Sequence, residues 1–544
     1  MMARLLRLFH TVRHLRWEQV IYRLHNRFSR GRVRVGETPA HRTDFPAFGH
    51  VGFAAPSLIA PETFSFLGET ERVSLEDWAA PHASLLWRYN LHYFDDLNAK
   101  NAEDRFTEHC ELVDSWIDVC RSTDDVGWAP YPSSLRIVNW VKWLSQHPEQ
   151  ATEKVLLSLA QQTDLLEQRI EYHLLGNHLF ENAKALLICG AYLVGEDADR
   201  WLSRGLRLVN RELREQFLGD GGHFERSPMY HATMLWDILD LIEVSREEPT
   251  KGLHGYAENW SEVFRNGFRW LETMSFPDGE IAFFNDSAFD IAPNCEALRV
   301  RARHLAVSIE PAPRNSVIDL ADTGYARVSW SDAVLIADMA PLGPDYLPGH
   351  AHADTLSFEM AVDGERLFVN SGTSCYGLSA ERERQRGTSA HNTVEVDGEN
   401  SSETWAGFRV ARRAYPIGRA VAAGVEGPVL SCSHTGYLRL SGKVLHTRRW
   451  LCRDSLLVIE DRLDGKFAEA KAHFLVHPSW KFVSESGGAI QLQHFNGRIV
   501  HISVDGGRLH SESATWHPRF GQAIPTIRLV TQLDRAAVTH HIKW

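Results

Sequence analysis

His350, His352 and Asp354 alternate along Gly349-His350-Ala351-His352-Ala353-Asp354. On an extended segment, alternate side chains leave one face. Two more polar marks follow: Asn370-Ser371-Gly372 closes one apolar run, and Ala390-His391-Asn392 opens another. A strand pair would return both beside the first segment, converging more titratable and metal-capable groups than packing requires. The preceding region carries two further clusters, each at a predicted helix start. In Gly176-Asn177-His178-Leu179-Phe180-Glu181 the histidine and glutamate are three apart and share a helix face. In Ser227-Pro228-Met229-Tyr230-His231 the tyrosine follows a helix-starting proline, where its hydroxyl could face a central cleft. Taken singly, Asn177 reads equally well as a helix cap and Tyr230 as a rim aromatic. Taken together, the clusters predict one site assembled from two regions.

Asn, His, Glu, Tyr and His, with no serine elbow, phosphate loop or paired-carboxylate motif, suit proton abstraction next to a carboxylate. The C5 proton of a uronic acid becomes acidic once its carboxylate charge is neutralised by hydrogen bonds or a cation. A base removes that proton while an acid protonates the departing O4 oxygen. A tyrosine and a histidine can fill those two roles. An asparagine, a histidine and a protonated glutamate can neutralise the carboxylate. The reaction is β-elimination, which leaves a 4,5-unsaturated sugar and consumes no water. A hydrolase would need a carboxylate pair, and Glu181 with Glu225 is the pair available.

Two kinds of region must position these groups. From about residue 80 to 310, apolar residues recur at three and four, as in Val155, Leu156, Leu159, Leu165, Leu166 and Ile170. Successive helices with short Gly- and Asp-bearing connections predict an α/α toroid over residues 46–312. After Pro311-Ala312-Pro313 the period becomes two, and many strands without intervening helices predict an antiparallel β-sandwich over 313–544. At 544 residues, two or three domains are expected.

Residues 1–45 form a third, basic segment, with nine Arg against one Glu over the first 35. Arg4 and Arg7 interrupt its only apolar run, so neither a secretory signal nor a membrane span is predicted. A location in the cytoplasm or on the cytoplasmic membrane surface is the matching expectation. Leu5, Leu6, Phe9, Val12, Leu15, Val20, Ile21 and Leu24 are spaced as on an amphipathic helix. It could lie on an anionic membrane or pack on its own protein. The net charge of −12 argues against general nucleic-acid binding. The 7 cysteines are scattered without CxxC, so neither a disulfide framework nor a cysteine zinc site is predicted.

These motifs, in this order, resemble the heparinase II/III family of polysaccharide lyases. The resemblance implies a toroid followed by a sandwich, and an enzyme acting on an acidic polysaccharide. It also implies a catalytic tyrosine at Tyr230, a catalytic histidine at His350, and carboxylate neutralisation by Asn177, His178 and Glu181. His352, Asn370 and His391 are similar to the family's ligands for a structural zinc. The family's usual Asp is Asn370 here, and a neutral amide is a poorer zinc ligand, so the sequence leaves the metal open. Other residues could grip an acidic sugar: Trp128, Tyr131, Arg136 and Asn139-Trp140; Asn90, His92 and Tyr93; Arg226, His231 and Phe284 to Ser287. Packing between toroid helices explains the same pattern. Glu381 to Arg386 reads as a charged loop, either a solvated turn or a polymer contact. The alternative function is a non-catalytic polysaccharide-binding or exopolysaccharide-assembly protein on the same scaffold.

Overall fold

The computed structural model describes residues 2–28, 31–49, 52–123, 125–246, 252–310, 317–486 and 488–544. The helices are α1 (Met2–Val12), α2 (Trp17–Phe28), α3 (Leu85–Leu91), α4 (Phe106–Val119), α5 (Pro130–Gln146) and α6 (Glu153–Gln168). They continue with α7 (Gly176–Tyr192), α8 (Glu196–Gln216), α9 (Pro228–Val244), α10 (Ala257–Thr273), α11 (Cys295–His304) and α12 (Ala380–Gln385). From α3 to α11 they build the toroid. Local chemistry sets several starts: Thr152 caps α6, Ser227 caps α9 and Asn294 caps α11, each accepting from a backbone N–H of the first turn. Helices α7 and α8 cross at glycines. A Cβ on Gly190 would lie 2.4 Å from the Leu202 nitrogen, and one on Gly205 would lie 2.5 Å from that of Leu187. Ahead of α3, a three-stranded sheet of Leu58–Ala60, Thr63–Phe66 and Glu69–Arg72 stands where the sequence reading had placed toroid.

In the second half every pair of named strands is antiparallel. One sheet runs, in spatial order, Glu365–Phe368, Phe358–Val362, Ala333–Asp338, Tyr325–Trp330 and Val317–Leu320. An eight-stranded sheet, a four-stranded sheet and a two-stranded ribbon of Thr404–Trp405 and Arg409–Val410 complete this half. The toroid and the sandwich each have their own buried core, centred on residues such as Trp140 and Leu186 in one and Trp450 and Phe474 in the other. A smaller apolar cluster joins them: Trp270, Met274 and Phe284 from the helical half meet Leu320, Tyr325 and Ile336 from the first sheet. Burying such side chains is what fixes the two halves against each other. The boundary placed at 312 lies outside the described residues, between the end of α11 and the strand beginning at Val317. All seven cysteines are free; Cys110 and Cys375 are half-buried and the other five are buried.

Candidate active site

On the toroid side the site begins with Ser227. Its hydroxyl accepts from the Tyr230 N–H at 3.2 Å and donates to the Asp286 carbonyl at 2.5 Å. That double use fixes the first turn of α9 and aims Tyr230 at the sandwich. The start of α7 lies close by. Gly176 has φ +58°, and a Cβ there would meet the Leu347 side chain at 2.5 Å and Glu225 Oε1 at 3.0 Å. Only glycine tolerates both the dihedral and the contact. Asn177 follows, its amide making no hydrogen bond among the described residues. His178 packs on the Tyr131 ring at 4.4 Å between centroids, and its Nδ1 lies 3.2 Å from Glu171 Oε2. Burial works against the charged imidazole, but the Glu171 carboxylate outweighs it and holds the His178 pKa above its ordinary value. Tyr93 meets Tyr131 edge-on at 6.0 Å. Glu181 is fully buried beneath this surface, 2.9 Å from Lys184 Nζ, which also pairs with Asp237. The structure therefore places the partly exposed His178 and Tyr131 together at the start of α7, with Asn177 and Tyr93 largely buried beside them, and puts Glu181 into an internal charge network.

From the sandwich, residues 349–356 form an irregular loop, in place of the expected extended segment. Its three marks still aim at the helical half. The His350 carbonyl accepts from the Asp286 N–H at 3.0 Å, and its Nδ1 lies 2.6 Å from Glu225 Oε2. The ring stacks on Tyr230 with centroids 3.8 Å apart and planes 16° from parallel. Tyr376, which the sequence reading missed, completes the group: its hydroxyl is 2.8 Å from that of Tyr230. Burial raises the Tyr230 phenol above its ordinary pKa, and the nearby Asp286 charge adds to it. Burial would raise Glu225 too, but the His350 ring beside it prevails and keeps that carboxyl below the usual range. The pair is therefore a carboxylate bound to an imidazole N–H, which leaves His350 Nε2 as the nitrogen facing outward.

Behind this layer lies a second, closed one. Asp286 is fully buried and takes both guanidinium arms of Arg382, one at 2.7 Å, while His352 Nε2 lies 2.9 Å from it. Burial opposes the Asp286 charge, yet Arg382 holds its pKa far below the ordinary value. Arg386 clamps the Ala351 carbonyl at 2.8 and 3.0 Å, between the two histidines. Both arginines come from the charged stretch 381–386, which is helix α12 with Arg386 as its C-cap, and both are buried. A solvated turn does not describe it: the stretch is helical, with Glu383 and Arg384 exposed and Arg382 and Arg386 turned inward. His391 Nδ1 is 3.0 Å from Asn370 Oδ1, which also accepts from the Ser357 hydroxyl at 2.7 Å. His352 and His391 face each other with ring centroids 5.2 Å apart.

As a zinc set these residues are incomplete. His352 Nδ1 and His391 Nε2 are buried without partners, as metal-ready nitrogens would be, but the Asn370 oxygen is already used twice. Among the described residues no three His, Cys, Asp or Glu side chains gather as ligands. Structural zinc takes four such donors.

Five of the proposed sugar contacts are corrected by burial. Arg136 is inaccessible, bonded to Gln162 Oε1 at 2.9 Å and the His92 carbonyl at 3.1 Å over the face of Trp116. Burial pulls its pKa down to about 9. His92 accepts from Trp116 Nε1 at 3.1 Å, and Trp128 Nε1 donates to the Cys120 carbonyl at 2.7 Å. Arg226, at φ +60°, donates to the Thr323 carbonyl at 2.7 Å and so ties the toroid to the first sheet. His231 is enclosed, with Nε2 donating to the Gly267 carbonyl at 2.8 Å. Each satisfies backbone or side-chain groups inside the protein and has no face toward a polymer.

An α/α toroid set against an antiparallel sandwich, with a tyrosine and a histidine meeting at the junction, is the architecture of a polysaccharide-lyase-type protein. Family models for the heparinase II/III N-terminus and the heparinase II/III-like C-terminal region match residues 106–298 and 312–544, and the chain belongs to the heparinase II/III family. A heparin-sulfate lyase of Bacteroides stercoris is 25% identical over 259 residues, 43% of this chain and 37% of that protein. The FtsZ-localized protein C of Caulobacter vibrioides is 25% identical over 414 residues, 72% of this chain and 66% of that protein. The chain thus spans less than two thirds of the length of each. A crystal structure of heparinase III shares the fold at a TM-score of 0.71 and 16% identity, covering 97% of this chain and 89% of that one.

Proposed function

We propose that the protein cleaves a uronic-acid-containing polysaccharide by β-elimination in the cleft between toroid and sandwich. The observation that carries this reading is the Tyr230–His350 stack, with Tyr376 bonded to the Tyr230 hydroxyl. A uronate carboxylate entering at the start of α7 would meet the Asn177 amide and a His178 biased toward imidazolium, and lose the charge that resists carbanion formation. His350, with its Nδ1–H donating to Glu225, offers Nε2 as the base for the C5 proton. Tyr230, kept protonated by burial, donates to the departing O4 oxygen and recovers its proton through Tyr376 or solvent. Glu181 supports the floor electrostatically and does not touch the sugar.

We also propose that the His352–His391 corner is held by Asp286, Asn370 and Ser357 and works without zinc. Metal analysis of untagged protein tests this; one zinc per chain would overturn it.

The decisive experiment follows absorbance in the unsaturated-uronate band while the protein is incubated with heparan sulfate, alginate, chondroitin sulfate and bacterial exopolysaccharides. A rise with one polymer, cut by roughly a thousandfold in Tyr230→Phe and in His350→Ala, is the expected result. A second reading, a polysaccharide-binding or assembly protein on the same scaffold, is favoured by one observation. The match to the Caulobacter protein, whose name carries no lyase activity, covers more of this chain than the match to the B. stercoris lyase. Binding without any absorbance rise would select it.

A further inference from the structure

The N-terminal hairpin is inside out. On α1, Leu5, Leu8, Phe9 and Val12 stand at i, i+3, i+4 and i+7, and on α2 Trp17, Val20, Ile21 and Leu24 repeat that spacing. In a helix packed on its own protein such a stripe faces the core. Here all eight are exposed, Trp17 at 75% and Leu24 at 58%. The polar face turns inward instead. Gln19, fully buried, donates to the Tyr346 carbonyl at 3.2 Å, Thr11 accepts from Trp405 Nε1 at 3.1 Å, and the Asn26 amide meets His173 Nδ1 at 3.1 Å. Arg16 pairs with Glu215 at 2.5 Å and lies over the Tyr346 ring. The hairpin is therefore fastened to the toroid and the sandwich by specific polar contacts that hold its apolar face outward.

We propose that this face docks on an anionic lipid bilayer. Charge selects the occupant: over residues 2–28 there are six arginines and one acidic residue, Glu18, in a chain whose net charge is −12. Arg4, Arg7, Arg13, Arg23 and Arg27 are exposed around the stripe. An apolar stripe rimmed by arginine lies in the interface, with its side chains among the acyl chains and its cations at phosphate headgroups. Among the described residues no helix is long and apolar enough to cross a membrane, so the hairpin lies on the surface. Tyr346, its main anchor, is four residues before His350, so a docked protein holds the cleft close to the bilayer. This inference stands whether or not the cleft is catalytic.

Co-sedimentation of the full chain with phosphatidylglycerol-rich vesicles and with pure phosphatidylcholine vesicles tests it. Binding to the first and little to the second is expected. Each arginine near an anionic surface contributes roughly fivefold, so Arg4→Ala with Arg7→Ala should weaken binding about thirtyfold. Trp17→Ser with Ile21→Ser should weaken it at least about tenfold, with far-ultraviolet circular dichroism unchanged because all four positions are exposed. Equal binding to both vesicles, no binding, or binding indifferent to both double variants would overturn the proposal. So would a lipid-free dimer that the same substitutions disperse, since the stripe would then belong to a second copy of the chain.

Discussion

His350 and His352 are separated by one alanine, and each is bonded to a carboxylate from the helical half, yet their surroundings differ. The Glu225–His350 pair is 2.6 Å long, and its imidazole is partly exposed and stacked on Tyr230. The Asp286–His352 pair is sealed, shares Arg382, and has no exposed atom of consequence. Burial pulls His352 down to about 4, so it stays neutral at physiological pH. The same two functional groups thus serve two ends. Where one ring edge reaches the cleft, the pair can exchange a proton with a ligand. Where a buried arginine joins, it is a rivet between domains.

The sharpest way to break the comparison is at the rivet. Asp286→Asn leaves Arg382 buried without its anion and should cost roughly 4 kcal/mol in denaturant unfolding. If it costs no more than Glu225→Gln, the distinction between rivet and working pair fails. Next in size is a pH effect near Asn370, whose backbone N–H donates to Glu359 at 2.6 Å. Burial raises Glu359 from 4.5 to about 7, against the pull of Arg366. A raised carboxyl favours the folded state fully below about pH 4.5, and that contribution drains away as pH climbs toward 7, by up to about 3 kcal/mol. Glu359→Gln should flatten this stretch of the stability profile; an unchanged slope would assign it to other groups. The smallest effect sharpens the working pair. Glu225→Gln should lower kcat about thirtyfold, ~2 kcal/mol, with KM nearly constant, because it disorients His350 without touching sugar. A matching rise in KM would instead put Glu225 in contact with substrate.

The architecture was legible because period and punctuation are local. The shift from three-and-four spacing to alternation separates α11 from the strand at Val317, and Ser227-Pro228 announces α9. Tyr230, His350, Asn177 and His178 were legible because they cluster at helix starts or in an alternating run. Tyr376 was not: it is a lone tyrosine in a loop, 146 residues from the hydroxyl it bonds. Arg136 and Trp128 misled for a physical reason. An aromatic-rich stretch with one arginine looks alike whether the cation grips a sugar or a backbone carbonyl, and only burial distinguishes the two. Arg382 and Arg386 misled in the opposite sense, because their partners Asp286 and Ala351 lie far away in sequence.

Cys375 precedes Tyr376, and its sulfur lies 3.8 Å from the Ser379 hydroxyl. It and Cys110 are the two cysteines that reagents can reach. With Cys110 changed to Ser, a thiol-reactive fluorophore would attach next to the tyrosine pair, without any cysteine having to be introduced. The protein thereby carries its own reporter position: ligand arrival could be timed by emission in a stopped-flow instrument, even for polymers that are bound and never cut.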